Sequence, residues 1–384
     1  MPLLVAMSLL LARTASEAEG IAAVGMSPPP SIDSRSYVLM DYDSGEILAS
    51  ADADVPLPPA SLTKMMTSYL VEQALKVGSL RPDDQVRVSE NARCHGSGAQ
   101  SCMHLPPDAR ASLRDILKGI IIQSGDDAAE AAAEHMAGSE AAFAQLMNGE
   151  AGRIGMLHSH FVNSTGLPAP GHQASAHDLA LLARTIIHDS ADYYPIYAER
   201  DFTYNGIKHV NRNTLLFTDP SVDGLIAGHT GEAGFCLTAS AKRDGLRIIS
   251  VVMGAPTDQE LGDETGNLFT WGFDTFAKTR PYRVGAVVTT ATVDAGVVNQ
   301  VPVGLAHDWA LTVPRDQPKA VQTSFQFIQG INAPIAKGQI LGTVVATLNG
   351  KWFSQVPLVA MIPVERAGLL QRSWQRIRQM FKRS

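Results

Sequence analysis

A serine and a lysine three positions apart, in Ser61-Leu62-Thr63-Lys64, give this 384-residue chain a candidate nucleophile and base. On a helix, positions i and i+3 share a face, so the hydroxyl and the amine can meet. A serine hydroxyl attacks poorly until a neighbouring base takes its proton. A lysine does that work when desolvation or nearby positive charge favours its neutral form. A helix N-terminus supplies part of that positive field and favours a developing oxyanion. Ser-x-x-Lys alone is common on solvated helices, but here Pro58-Pro59 precedes it and apolar residues pack the helix that follows. A second element, Ser124-Gly125-Asp126, comes after the apolar run 119–122. Ser124 can pass a proton between Lys64 and a leaving amine; by itself it also reads as the N-cap of the Ala-rich stretch behind it.

The elements that must position these residues follow from the patterning. Segments 37–40 and 46–49 flank Asp43-Ser44-Gly45 as strand, turn and strand. Leu62, Met65, Met66, Tyr69 and Leu70 recur at helical spacing and predict one buried helix face. Further helices are predicted over 112–122, 127–136, 140–153 and 176–187, then a hairpin 235–241/246–253 turning at Asp244-Gly245. Strands at both ends with helices between predict an α+β domain whose sheet joins N- and C-terminal strands. Beyond Pro281 the helical period is gone. Segments 284–290, 309–313, 321–327 and 340–348, with a turn at Asn349-Gly350, predict a small all-β domain. The expected division is a signal sequence over 1–25, a linker over 26–34, a catalytic domain over 35–280, a β-rich domain over 281–364 and a helical tail over 365–384.

Composition bounds the partners. A net charge of −7 excludes nonspecific nucleic-acid binding, which needs clustered Lys and Arg. The apolar run 1–12 is too short to span a bilayer and suits the core of a secretory signal, although no Lys or Arg precedes it. In the tail, Leu370, Trp374, Ile377 and Phe381 share one helical face, and Arg366, Arg372, Arg376, Arg378, Lys382 and Arg383 lie between them. Such a helix suits an anionic membrane surface; the competing reading docks it on its own protein. In an exported chain Cys94 and Cys102 can form a disulfide, and His95 and His104 beside them make a metal site conceivable, with a ligand-free loop the preferred reading. Cys236, in an apolar strand pattern, reads as a buried small hydrophobe. No metal or other cofactor is expected.

The motifs together resemble a known family. Residues 59–69, around Ser61-Leu62-Thr63-Lys64, are similar to the nucleophile segment of the low-molecular-mass penicillin-binding proteins, the serine D-alanyl-D-alanine carboxypeptidases. Gln123-Ser124-Gly125-Asp126 resembles their second motif, and Val222-Asp223-Gly224 with Gly228-His229-Thr230 their third. Similarity extends through Thr270-Trp271-Gly272-Phe273, the β-rich domain and the basic tail. The resemblance implies a penicillin-binding, β-lactamase-like transpeptidase domain and a peptidase that trims the terminal D-Ala from peptidoglycan pentapeptides. Ser61 would attack, Lys64 would act as base and Ser124 would protonate the leaving D-Ala. The oxyanion would sit between the N–H groups of Ser61 and His229. Asp126, Gly228, His229 and Thr230 would line the substrate, and β-lactam antibiotics would acylate the same serine. The implied location is the periplasm, on the outer face of the cytoplasmic membrane.

The chain also departs from that pattern. The family's Lys-Thr-Gly positions read Ile226-Ala227-Gly228, its second-motif Asn is Asp126, and an Arg it often places near the substrate carboxylate is Leu261. His229-Thr230-Gly231 could replace the missing triplet, but only through a three-residue shift, and an odd shift exchanges the faces of a strand. The expectation is a carboxypeptidase of reduced activity. The alternative is an inactive relative that binds peptidoglycan or a partner as a scaffold. A β-lactamase is disfavoured, because 163–173 offers no clear deacylating carboxylate and a second domain follows.

Overall fold

The computed structural model describes residues 27–94, 101–317 and 321–368. The chain enters through β1 (Ser36–Asp41) and β2 (Ile47–Ala51), an antiparallel pair. A single 3-10 turn, Ala60–Thr63, runs into helix α1 (Lys64–Lys76). The short pair β3 (Gln85–Arg87) and β4 (Arg110–Ser112) precedes α2 (Leu113–Lys118), which continues as a π-turn over Gly119–Gln123. Helices α3 (Asp126–Ala137), α4 (Glu140–Ile154) and α5 (Ala176–Asp189) follow. A small hairpin of β5 (Asp201–Tyr204) and β6 (Ile207–Val210) and the one-turn α6 (Leu215–Thr218) lead to β7 (Val222–Thr230), β8 (Gly234–Arg243) and β9 (Leu246–Ala255). Helix α7 (Asp258–Thr275) closes this half. The main sheet has the order β2-β1-β9-β8-β7, so N- and C-terminal strands lie side by side as expected.

One apolar cluster fills the side of the sheet facing α1, α3, α4 and α5; a second lies under α7 on the other side. Helix α1 runs through the middle of the first. Where one buried face was expected, Lys64 through Tyr69 are all buried, so this stretch is enclosed all round. A central helix can carry polar side chains only if each finds a partner. Thr67 Oγ1 donates to the Ser164 carbonyl at 2.7 Å and Ser68 Oγ to that of Lys64 at 2.8 Å.

Past α7, β10 (Phe276–Thr279) pairs with β13 (Leu311–Pro314), while β11 (Thr289–Thr292), β12 (Gln300–Leu305), β14 (Val321–Phe327), β15 (Ile340–Leu348) and β16 (Lys351–Ala360) form a second sheet. The expected strand over 284–290 is shorter and later, because Ala286 N–H closes a turn onto the Arg283 carbonyl. Lys278 Nζ, 2% exposed, is held by Asp41 and Asp43, each at 2.8 Å, and ties the second half to the first. No helix among the described residues is long and apolar enough to cross a membrane. The expected signal, residues 369–384 of the expected tail helix and His95 lie outside the described residues. Residues 365–368, expected to open that helix, are instead non-helical and belong to the β-rich half: Arg366 bridges to Gly296, and the Ala367 N–H donates to the Ala295 carbonyl.

Candidate active site

The nucleophile turn differs from its expected form in a way that tightens the pairing. Ser61 sits in the 3-10 turn and Lys64 at the start of α1. In 3-10 geometry side chains at i and i+3 eclipse, so the two groups meet more directly than on an α-helix. Lys64 Nζ lies 3.0 Å from Ser61 Oγ. Ala60, just before the serine, has φ +47°. A left-handed alanine is strained and persists only where packing over-determines it. Two glycines supply that packing. A Cβ on Gly166 (φ +86°) would fall 1.8 Å from the Ala60 carbonyl oxygen, and one on Gly228 would fall 2.6 Å from Ser61 N. Any side chain at either place would push the serine out of position.

Lys64 is fully buried, and its ammonium meets three acceptors. Besides Ser61 Oγ these are Asp126 Oδ1 at 2.6 Å and the Thr165 carbonyl at 2.7 Å. Three acceptors match the three N–H bonds of an ammonium. Asp126 stands in the first turn of α3, where the helix dipole favours a carboxylate. Its Oδ2 accepts the Ser101 N–H at 3.1 Å, and its own N–H donates to the Ser101 carbonyl at 2.7 Å. Asp127 accepts the N–H groups of Met103 and Leu105, fixing the chain after Ser101 to the same helix end. Cys94 and Cys102 form a disulfide with Cα atoms 6.1 Å apart, so Ser101 is held covalently as well.

Ser124 follows the π-turn with φ +59°. The N-cap of α3 is Gly125, so Ser124 is not a capping serine. Its Oγ is buried and has no hydrogen-bond partner among the described residues. An unpaired buried hydroxyl is costly, and of the unpaired buried polar side chains among the described residues, Ser124 is the one that lines the cleft.

Behind the turn, His172 is pinned in one tautomer. The Val162 N–H donates to Nδ1 at 2.9 Å, so the proton sits on Nε2, which donates to Thr63 Oγ1 at 2.8 Å. Burial first, then His160 and Lys64, push this imidazole down to about 4. It is a neutral structural strut for the residue between Ser61 and Lys64.

These groups open on a cleft of about 490 Å³. Ser61, Ser124, Asp126, Gly228, His229 and Thr230 all line it. Ile226, the candidate at the family's lysine position, does not. Its side chain is 1% exposed in the apolar core, where a branched hydrocarbon belongs, and only Ala227 of that pair reaches the cleft. The shifted triplet finds no structural footing either. β7 pairs with β8 without interruption from Gly224 to Thr230, its one bulge lying earlier, between Val222 and Gly224. His229 stacks on Phe235 with ring centres 4.0 Å apart, and Thr230 Oγ1 accepts the Ala233 N–H. Leu261 presents an apolar side chain to the cleft. Cys236 is buried, and its thiol is pushed up to about 11 by burial. No cluster of three metal-ligating side chains occurs among the described residues, His104 included.

Sequence reasoning did not find Ser101, Thr165 or Arg212. The first two act through backbone groups, which leave no side-chain signature. Arg212 carries a faint signal in Asn211-Arg212-Asn213, a cation between two amides.

Similarity to known proteins runs along most of the chain. The D-alanyl-D-alanine carboxypeptidase family profile matches residues 23–257, and that of the penicillin-binding protein 5 C-terminal domain matches 276–366. D-alanyl-D-alanine carboxypeptidase DacC of Escherichia coli (strain K12) is 43% identical over 350 residues, 90% of this chain and 88% of that one. The crystal structure of penicillin binding protein 5 from Haemophilus influenzae superposes with a TM-score of 0.81 at 38% identity, covering 88% of this chain and all (100%) of that one. Penicillin-binding protein D2 from Listeria monocytogenes, solved with ampicillin bound, has a TM-score of 0.59 at 30% identity, over 64% of this chain and 100% of that one. With family profiles matching both halves, a shared fold and homology along most of its length, this chain belongs to the D-alanyl-D-alanine carboxypeptidase family.

Proposed function

We propose that the chain hydrolyses the terminal D-Ala from peptidoglycan pentapeptide stems through an acyl-enzyme on Ser61. The observation that carries this reading is the 3.0 Å approach of Ser61 Oγ and Lys64 Nζ beside a substrate-sized cleft. Ser61 Oγ attacks the carbonyl carbon of the penultimate D-Ala while its proton passes to Lys64. The oxyanion is held by the N–H groups of Ser61 and His229, which the close approach of Gly228 to Ser61 supports. The C–N bond then breaks, the leaving amine takes a proton by way of Ser124, and water releases the acyl group. Lys64 must first shed a proton, and Asp126 is the acceptor in reach. That extra step, with Ala227 and Leu261 where the family carries polar groups, supports turnover well below that of its relatives. β-Lactams acylate the same serine. The basic, apolar-striped sequence of 365–384 supports attachment to the outer face of the cytoplasmic membrane from the periplasm.

Intact-protein mass spectrometry after exposure to benzylpenicillin tests the reading. A stoichiometric adduct lost in Ser61→Ala is expected; an unmodified wild-type protein would overturn it. The buried Ile226 favours a second reading, an inactive scaffold that binds peptidoglycan. Release of D-Ala from a pentapeptide separates the two.

A further inference from the structure

A peptidase that removes the last residue of a peptide must recognise a free carboxylate. This part rests on the carboxypeptidase reading above. The third-motif strand offers that carboxylate no cation, since Ile226 is in the core and Ala227 carries no donor. Leu261 adds only apolar surface. Lys64 is fully engaged by three acceptors. Of the side chains lining the cleft, Arg212 is the one Lys or Arg, and no ion pair neutralises it among the described residues. Its only side-chain contact there is a long one, 3.4 Å from the guanidinium to Ser101 Oγ.

The backbone around Arg212 is built to present it. Asn211 Nδ2 donates to the Glu199 carbonyl at 2.9 Å, and the Asn213 N–H returns to Asn211 Oδ1 at 2.9 Å. Asn213 Nδ2 donates to the Gly224 carbonyl on β7 at 2.9 Å, and its Oδ1 accepts the Leu215 N–H. Both asparagines are buried while Arg212 between them is exposed. Asn213 thus ties the chain to the cleft-lining strand, Asn211 ties it to the segment before β5, and one cation between them is left facing the cavity. A planar guanidinium can grip a carboxylate through two parallel hydrogen bonds.

We infer that Arg212 is the substrate-carboxylate anchor of this protein, selecting peptides with a free C-terminal D-Ala in place of the missing lysine and arginine.

The test is equilibrium binding, measured by calorimetry on the Ser61→Ala protein so that turnover plays no part. Two probes are compared: a D-Ala-D-Ala-terminated tripeptide with a free carboxylate, and the same peptide as its C-terminal amide. The acid is expected to bind about 10- to 100-fold more tightly than the amide, the ratio that one charge-assisted pair supports. Adding Arg212→Gln should bring that ratio to near 1 with amide binding unchanged, and Arg212→Lys should restore part of it. A merely structural role would weaken both probes together, and thermal melting of each variant checks folding. An acid-to-amide ratio near 1 in the parent protein, or one that survives Arg212→Gln, would overturn the inference. Absence of penicillin acylation with the ratio intact would instead refute the catalytic reading and leave the anchor standing.

Discussion

Replacing Asp126 by Asn should speed acylation while weakening the fold. In the parent protein Asp126 Oδ1 lies 2.6 Å from a lysine that is 0% exposed, and the aspartate itself is 7% exposed. Removing one partner of a buried ion pair costs about 3–5 kcal/mol while the other stays charged. Lys64 can escape that cost by becoming neutral, which is the form a general base requires. The amide can also turn so that its oxygen still accepts the Ser101 N–H while its NH2 donates to a neutral amine, which keeps the loop in place. Only part of the energy should reach the rate, because a more readily neutral amine is also a weaker base. The expected gain in the second-order rate constant for benzylpenicillin acylation at pH 7 is about 10- to 100-fold. The melting temperature should fall by several degrees, as expected for a loss of about 1–2 kcal/mol when the charge-assisted bonds of Asp126 to Lys64 and Ser101 become neutral ones. Stopped-flow acylation and calorimetric melting measure the two effects. An acylation rate that falls, in a variant that still melts cooperatively, would show that the carboxylate helps Lys64 and would refute the reasoning.

Three further outcomes follow from the same geometry. Ile226→Lys with Ala227→Thr should raise D-Ala release by about 10-fold or more, since each restored charge-assisted bond is worth ~1.5–3 kcal/mol. To reach the cleft, the lysine stem must leave the apolar core in which Ile226 sits, and unchanged turnover in a variant that still melts cooperatively would show that these two positions do not serve the substrate carboxylate. His172, held down at about 4, binds its proton more readily unfolded than folded. Stability should therefore be full above about pH 6.5, fall by up to about 3 kcal/mol towards pH 4 and level off below. A pH-independent difference in melting between the parent and His172→Gln would exclude this. Finally, Cys94→Ser with Cys102→Ser opens a loop with a separation of 8 residues and should cost about 2.5 kcal/mol by loop entropy. It should also slow acylation several-fold by loosening Ser101, and a variant with unaltered acylation would show that the disulfide serves stability alone.

Parts of the fold were legible and parts were not, for physical reasons. The hairpin of β8 and β9 stood out because long apolar strands flank a two-residue turn at Asp244-Gly245. Helix α7 went unmarked. Gly262, Gly266 and Gly272 lower its helix propensity, and its signal lies in the buried set Leu261, Thr265, Leu268, Phe269 and Phe273, diluted by acidic residues. Strands β12 and β16 hid behind Pro302 and Pro357, which reduce strand propensity.

By itself the sequence determined which chemistry was available: a serine, a lysine and a second serine at spacings that chance seldom produces together, and a third motif stripped of its polar side chains. Spacing along a chain fixes local neighbours, and Ser61 and Lys64 are local. Tertiary structure decided everything that depends on residues distant in sequence. It brought Asp126, 62 positions away, onto the lysine, and the Thr165 carbonyl, 101 away, onto the same amine. It sent Ile226 into the core rather than the cleft, because a strand with both faces covered buries its apolar side chains on whichever side they fall. It left one arginine facing the cavity, a placement that only the folding of segments distant in sequence around a common cleft could create.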